Sequence, residues 1–367
     1  MYQSFATNTL LRFRPRFRSR PLAPPLAPFV DIALSAYLAD RLGLPEVGFA
    51  ERPTLIPSGW EAYIFRFRIR HVSPPFDRPL VLRLYAGPQG LPRACREFAA
   101  QLHAHRLGYP VPRPLLLEGD SGPLGGPFVI MEHVPGETLL DRLRGNCLRI
   151  LEVPARLAEA HRRLHALPPD GLAAPPGPFL ARHLAELRRT IGDYDLPDLK
   201  GALRWLEAHR PAETTSPRLL HLDFHPVNLI VRDDDGVCAV LDWSEADVGD
   251  AHADLATTLL LLRHGPLEDL SLRERLLAPV TRWFLARRYL KAYGRGTALD
   301  PERLDYYLAW ASLRRLAMYG MWLRAGPQSN GSKPCAVRRV TPAHVRDLQR
   351  CFARLTGAMP HLGPVPG

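Results

Sequence analysis

Lysine is almost missing from this chain. Lys200, Lys291 and Lys333 are the only three among 48 basic residues, and the rest are arginine. With 38 prolines and abundant alanine and leucine, that bias reads as the imprint of a GC-rich genome. The net charge of +11 is therefore weak evidence for nucleic acid, and no nucleic-acid partner is expected. A basic balance still favours anionic ligands. No apolar run approaches the ~20 residues of a membrane span; Leu255 to Leu262 is among the most apolar and stops at Arg263. The five cysteines are odd in number, widely spaced and without a CxxC pair. That argues against a disulfide framework or a zinc site, and suits a reducing cytoplasm. No acid precedes Asp31, while Arg12, Arg14, Arg16, Arg18 and Arg20 crowd the start. An Arg-rich, acid-poor start suits a transit peptide, but Pro15, Pro21, Pro24 and Pro25 break any amphipathic helix. Residues 1–30 are read as a disordered basic tail. There is no G-x-G-x-x-G and no internal repeat.

What is present concentrates between Leu219 and Leu255. Asp223 stands five residues before Asn228, and Asp242 fourteen residues after it. Asn228 opens the apolar run to Arg232, a turn follows at Asp233 to Gly236, and Val237 to Leu241 delivers Asp242. A hairpin of this kind gathers the three polar residues around one point. Phosphoryl transfer from a metal-nucleotide needs that set: an acceptor for a hydroxyl proton and oxygen ligands for a divalent cation.

The segment His221-Leu-Asp223-Phe-His-Pro-Val-Asn228 resembles the kinase catalytic loop, and Asp242-Trp-Ser stands where protein kinases carry D-F-G. The Phe-His-Pro interior, the Asp-Trp pair and the later Gly249-Asp250 with Asp254-Leu-Ala256 resemble the aminoglycoside phosphotransferase and choline kinase branch. The resemblance implies an α+β, bilobal protein-kinase-like fold: a small, mainly antiparallel β lobe with one helix, then a larger helical lobe. It implies an ATP- and Mg2+-dependent kinase acting on a small-molecule hydroxyl. Asp223 would accept or orient the hydroxyl proton, Asn228 and Asp242 would hold the metal, and Asp254 would buttress the catalytic loop. His221 is expected to pack beneath that loop; His225, inside the loop, could contact substrate or phosphate, which is the minority reading of that residue. Asp250 is read as structural.

The rest of the chain fits this order. Asp31 to Leu44 has helical spacing, placing an N-terminal helix at 31–45. Strands are expected at Val47 to Leu55, Ala62 to Arg70 and Pro79 to Tyr85. A helix from Pro92 to Leu107 follows, then strands at Pro112 to Leu117 and Phe128 to Val134. Residues 46–134 thus form the nucleotide lobe and 135–367 the helical lobe with the acceptor site. The helical lobe has seven expected helices, the fifth kinked or split by Pro279, interrupted only by the catalytic hairpin.

Ser58 and Gly59 occupy the place of a phosphate-covering loop, although an ordinary hairpin turn reads the same. Arg83 takes the slot of the kinase β3 lysine and Glu97 that of its helix partner. A cation inside an apolar strand needs such a carboxylate; the alternative is an edge-strand arginine in solvent. Glu132 and Val134 match the hinge whose backbone faces adenine. His161 and His165 have the i, i+4 spacing of a zinc helix, but no general-base Glu stands between them. The segment is read as a helix under the catalytic loop, with His161 where the family pattern has leucine. The competing reading of the whole chain is a nucleotide-binding pseudokinase, allowed by Arg83 and the reduced Gly loop.

Overall fold

The computed structural model describes residues 27–57, 59–119, 124–145, 147–172, 176–232, 236–265 and 272–363. The expected basic tail lies outside them up to residue 26, as does the tip of the turn at 233–235.

The first half is a five-stranded sheet with order β1-β2-β3-β5-β4, all neighbours antiparallel. Its strands are β1 (Phe49–Ile56), β2 (Ala62–Ile69), β3 (Leu80–Tyr85), β4 (Pro114–Glu118) and β5 (Phe128–Glu132). In β2 the period of two is visible in burial: Phe65, Phe67 and Ile69 face inward, while Arg66 and Arg68 face water. β3 is central and almost wholly buried, so it reads as a continuous apolar run broken by Arg83 alone. Helix α1 (Ala27–Leu42) lays Val30, Leu34, Tyr37 and Leu38 on one face of the sheet, against Phe65, Phe67, Leu82 and Phe128. Helix α2 (Gly90–Arg106) has Pro92 in its first turn and covers the opposite face near Tyr85, Val129 and Met131.

The second half is helical, with α3 (Leu139–Gly145), α4 (Glu152–His165), α5 (Phe179–Asp193), α6 (Lys200–Ala208), α7 (Ala251–His264), α8 (Leu272–Tyr293), α9 (Pro301–Ala325) and α10 (Pro342–Thr356). Three of their starts are set by side-chain caps. Asp250 accepts the His252 amide at α7, Asp300 those of Glu302 and Arg303 at α9, and Thr341 that of His344 at α10. Asp250 is thus a helix cap that also pairs with Arg303. Pro279 sits inside α8 without splitting it.

One expectation is corrected. The catalytic hairpin, β8 (Leu229–Val231) with β9 (Val237–Val240), is not the only interruption of the helices. β6 (Glu137–Thr138) joins it as a third strand, and β7 (Arg218–Leu220) pairs with β10 (Asp247–Gly249). Strands of two or three residues are too short to carry a readable alternation. Their consequence is positional: β7 delivers His221, and β10 leads into α7. Gly249 in β10 has no room for a side chain, because a Cβ there would come within 2.4 Å of the Phe179 ring.

Because Leu34 is fully buried between α1 and the sheet, Leu34→Ala is expected to lower the unfolding free energy by about 2–5 kcal/mol. Urea denaturation of the full chain measures this. A cost near zero would mean that α1 is not part of the sheet's core.

Candidate active site

The loop between β7 and β8 is held from below by one carboxylate. Asp254, on α7, accepts the His221 amide at 2.6 Å on Oδ2 and the Leu222 amide at 2.8 Å on Oδ1. Leu222 needs that grip, since its φ of 60° lies in the left-handed region that a branched apolar side chain rarely adopts. The His221 ring is buried; its Nε2 donates to the Leu241 carbonyl at 2.9 Å and its Nδ1 accepts the Asp223 amide at 3.3 Å. Burial lowers the His221 pKa against the pull of Asp254 and Asp223, so the ring serves as a neutral brace between loop and hairpin.

Above this brace stand the three expected polar residues. Asn228 Nδ2 donates to the Asp223 carbonyl at 3.0 Å and to Asp223 Oδ2 at 3.1 Å. The Asn228 carbonyl accepts the Leu241 amide at 2.8 Å, which sets the neighbouring Asp242 beside it. Asp242 has φ 63°, a conformation that Asp tolerates better than most residues. It points its Oδ1 at Arg83 (2.8 Å) and the Ser244 hydroxyl (3.0 Å). Burial pushes the Asp223 carboxyl up, but His225, with Arg315, outweighs it and holds it below the usual carboxylate range. His225 contributes directly, with Nε2 3.4 Å from Asp223 Oδ2.

Arg83 is not a solvent-facing edge residue. Its side chain is 7% exposed, and it bridges Glu97 Oε1 at 2.9 Å and Asp242 Oδ1 at 2.8 Å. Glu97 is buried in turn and hydrogen-bonded to the Tyr85 hydroxyl. So β3, α2 and the end of the catalytic hairpin meet at one guanidinium.

Other expected residues are placed less decisively. Gly59 has φ 74° in the β1–β2 connection, which suits a tight loop, whereas Ser58 lies outside the described residues. Glu132 spends its amide on the Arg113 carbonyl at 3.0 Å, and its side chain lies 3.4 Å from Arg78. The Val134 amide has no partner among the described residues.

The sequence reading missed a second ionic layer. Glu61, just after Gly59, pairs with Arg93 at 2.9 Å and accepts the Ser244 hydroxyl at 3.2 Å. Glu245 is 3.7 Å from Arg93 and also pairs with Arg314 of α9. Burial, with smaller contributions from Glu245, Asp242 and Asp223, outweighs Arg93 and raises the Glu61 carboxyl to about 7. Glu245, with Arg314 as well as Arg93, stays below the usual range despite burial. No local motif marks these residues, because their ionic partners lie between 32 and 152 positions away along the chain. The only hint was the acid-rich Ser-Glu-Ala-Asp after Asp242-Trp243.

The chain is similar to known proteins. The chain is 28% identical over 248 residues to acyl-CoA dehydrogenase family member 11 of Pongo abelii, covering 62% of this chain and 30% of that protein. It is 27% identical over 329 residues to family member 10 of Mus musculus, covering 84% and 29%. The chain thus spans less than a third of the length of these relatives. Among solved structures, a ternary complex of aminoglycoside phosphotransferase APH(4)-Ia with AMP-PNP and hygromycin B superposes with a TM-score of 0.57 at 19% identity, covering 88% of this chain and 99% of that one. That likeness shows the bilobal, protein-kinase-like fold. The model of the phosphotransferase enzyme family matches residues 53–312, from β1 through the Arg83 pairing and the catalytic hairpin into α9, and this chain belongs to that family.

Proposed function

We propose that the protein transfers the γ-phosphoryl group of ATP to a hydroxyl of a small molecule. The observation that carries this reading is the gathering of Asp223, Asn228 and Asp242 through Asn228 Nδ2 on Asp223 and the Leu241 amide on the Asn228 carbonyl. Residues 46–134 would hold the nucleotide and 135–367 the acceptor. In this reading Asp223 orients the attacking hydroxyl and takes its proton. Its depressed pKa makes it a weak base, which suits a loose transition state in which positioning matters more than proton abstraction. Arg83 would place positive charge beside the phosphates, and Gly59, with Ser58 beside it, would give backbone amides to them.

The donors also suit magnesium. With its amide nitrogen on Asp223, Asn228 turns its oxygen away, and Asp242 Oδ2 has no hydrogen-bond partner among the described residues. Both are hard oxygen ligands of the kind Mg2+ takes. When bound, the metal would neutralise charge on the transferring phosphates.

The acceptor is read as something other than a polycation or a quaternary amine. From Pro135 onward there are 32 basic against 27 acidic residues, and the acids Glu61, Glu245 and Asp242 at the cleft are already paired with arginines. An aromatic cage is also disfavoured. Tyr289, Tyr293, Tyr306, Tyr307, Trp310, Tyr319 and Trp322 are buried in the core, and Trp283 is exposed beside Arg287. An ATP-consumption screen over neutral and anionic alcohols tests the reading. Turnover on any of them supports it, whereas magnesium-dependent ATP binding without transfer to any alcohol or to water favours the pseudokinase.

Two variants separate the roles. Asp223→Asn is expected to lower turnover by about 10²–10⁴-fold while leaving Mg2+-nucleotide affinity nearly intact. Asp242→Asn should also weaken that affinity, by about tenfold or more, or ~1.4 kcal/mol, because an anionic ligand is lost. Calorimetry with magnesium present reads the difference; equal, unchanged affinities would remove Asp242 from the metal site.

Glu61 makes a pH prediction. Its folded pKa, about 7, lies above the usual value of about 4.3 for an unfolded glutamate. Between these values the folded chain holds a proton that the unfolded chain releases. Its contribution to stability is therefore complete below the lower value and is lost as pH rises towards 7. The loss is steepest at about 1.4 kcal/mol per pH unit for one full proton. Subtracting the Glu61→Gln stability curve from that of the parent should reveal a falling difference from about pH 5 to 7. A difference that is flat or rises would show that Glu61 is not the raised group.

A further inference from the structure

We propose that His161, His165 and Asp254 form a second, buried cation site beneath the catalytic loop, suited to zinc or a similar borderline transition metal. One potential ligand atom from each lies within 4.8 Å of the others. His161 Nε2 and His165 Nε2 are 3.1 Å and 3.2 Å from the same oxygen, Asp254 Oδ2. Two ligand atoms on a tetrahedral zinc ion, with bonds of about 2.0–2.1 Å, sit about 3.3 Å apart. The two histidines occupy successive turns of α4, and all three residues are buried.

Hydrogen bonding alone leaves this cluster unfinished. Asp254 Oδ2 already accepts the His221 amide at 2.6 Å, and a carboxylate oxygen offers about two acceptor positions. The His165 ring takes a second place on that oxygen at 3.2 Å. His161 Nε2 is then a buried nitrogen without a well-aligned partner, although the carboxylate is near. The other ring nitrogens are fixed from behind. His161 Nδ1 meets the Tyr289 hydroxyl at 2.6 Å, and His165 Nδ1 meets that of Tyr293 at 2.7 Å. These tyrosines are one turn apart on α8, so two helices present matching pairs.

If each Nδ1–H donates to its tyrosine, both Nε2 lone pairs converge on a carboxylate, and a cation resolves the repulsion. A ring that donates its far N–H to an oxygen while ligating through the near nitrogen is the usual arrangement around a metal-bound histidine. Two nitrogens and one carboxylate suit zinc better than magnesium; water would take the fourth position. The ion would fasten α4 and α7 to the two amides that shape the catalytic loop. It would do so away from Asn228 and Asp242.

Untagged protein from zinc-supplemented cells, analysed by inductively coupled plasma mass spectrometry, tests the site. About one zinc per chain is expected. It should persist in Asp242→Asn and fall by at least about tenfold in His161→Leu and in His165→Gln. Because those variants can misfold, the parent protein supplies an independent reading. Refolded with cobalt(II), it should show the intense visible absorption of a tetrahedral ion. Its histidine ¹⁵N spectrum with zinc should report Nδ1-protonated rings at 161 and 165. The proposal is overturned if the parent, grown or refolded with zinc or cobalt, retains no stoichiometric metal and both rings carry their proton on Nε2. It is equally overturned if the metal is lost in Asp242→Asn but kept in His161→Leu.

Discussion

A single guanidinium in the middle of an apolar strand joins the two halves of this molecule. Arg83 rises from β3 between two carboxylates, one on α2 and one at the end of the catalytic hairpin. Arginine cannot shed its charge by losing a proton. Burying it therefore requires anionic partners, and only the native approach of the two halves supplies both. Taking one partner from a buried pair costs roughly 3–5 kcal/mol, because a charge is left uncompensated. The same contact fixes Asp242 in a left-handed conformation and leaves its second oxygen without a donor among the described residues.

A second constraint acts from the other side of the loop. Asp254 accepts two consecutive backbone amides and thereby holds Leu222 at positive φ. Asp223 follows directly and is clamped by Asn228. The Asp223 carboxylate is thus positioned by backbone geometry from below and by a side-chain amide beside it. An arrangement so determined before any ligand arrives loses little order on binding, and that is the physical basis for catalysis by positioning.

Legibility in the sequence followed the distance over which each feature is specified. The catalytic hairpin was readable because Asp223, Asn228 and Asp242 lie within twenty residues and the intervening apolar runs fix their register. Arg83 stood out as a lone charge in an apolar strand, so its need for a carboxylate followed from solvation, and the kinase resemblance named Glu97; that Asp242 would share it did not follow. Long helices with caps or proline starts, such as α9 and α10, fell close to their expected bounds. The short pair β7–β10 left no periodic trace. Glu61, Glu245, Arg93 and Arg314 form an ion cluster whose members are ordinary surface-type residues until the chain folds. The His161–Tyr289 and His165–Tyr293 contacts each span 128 residues. Only the i, i+4 histidines were visible, and nothing local told which acid would meet them.

The central claim is that Asn228 and Asp242 are the ligands of a metal-nucleotide. Crystals grown with manganese and a non-hydrolysable ATP analogue, measured at the manganese absorption edge, test this most directly. The account predicts an anomalous peak between the Asn228 and Asp242 side-chain oxygens, touching the nucleotide's phosphates, with Asp223 facing the terminal phosphate. Nucleotide bound elsewhere, or bound in the cleft with no metal density at these two residues, would contradict it.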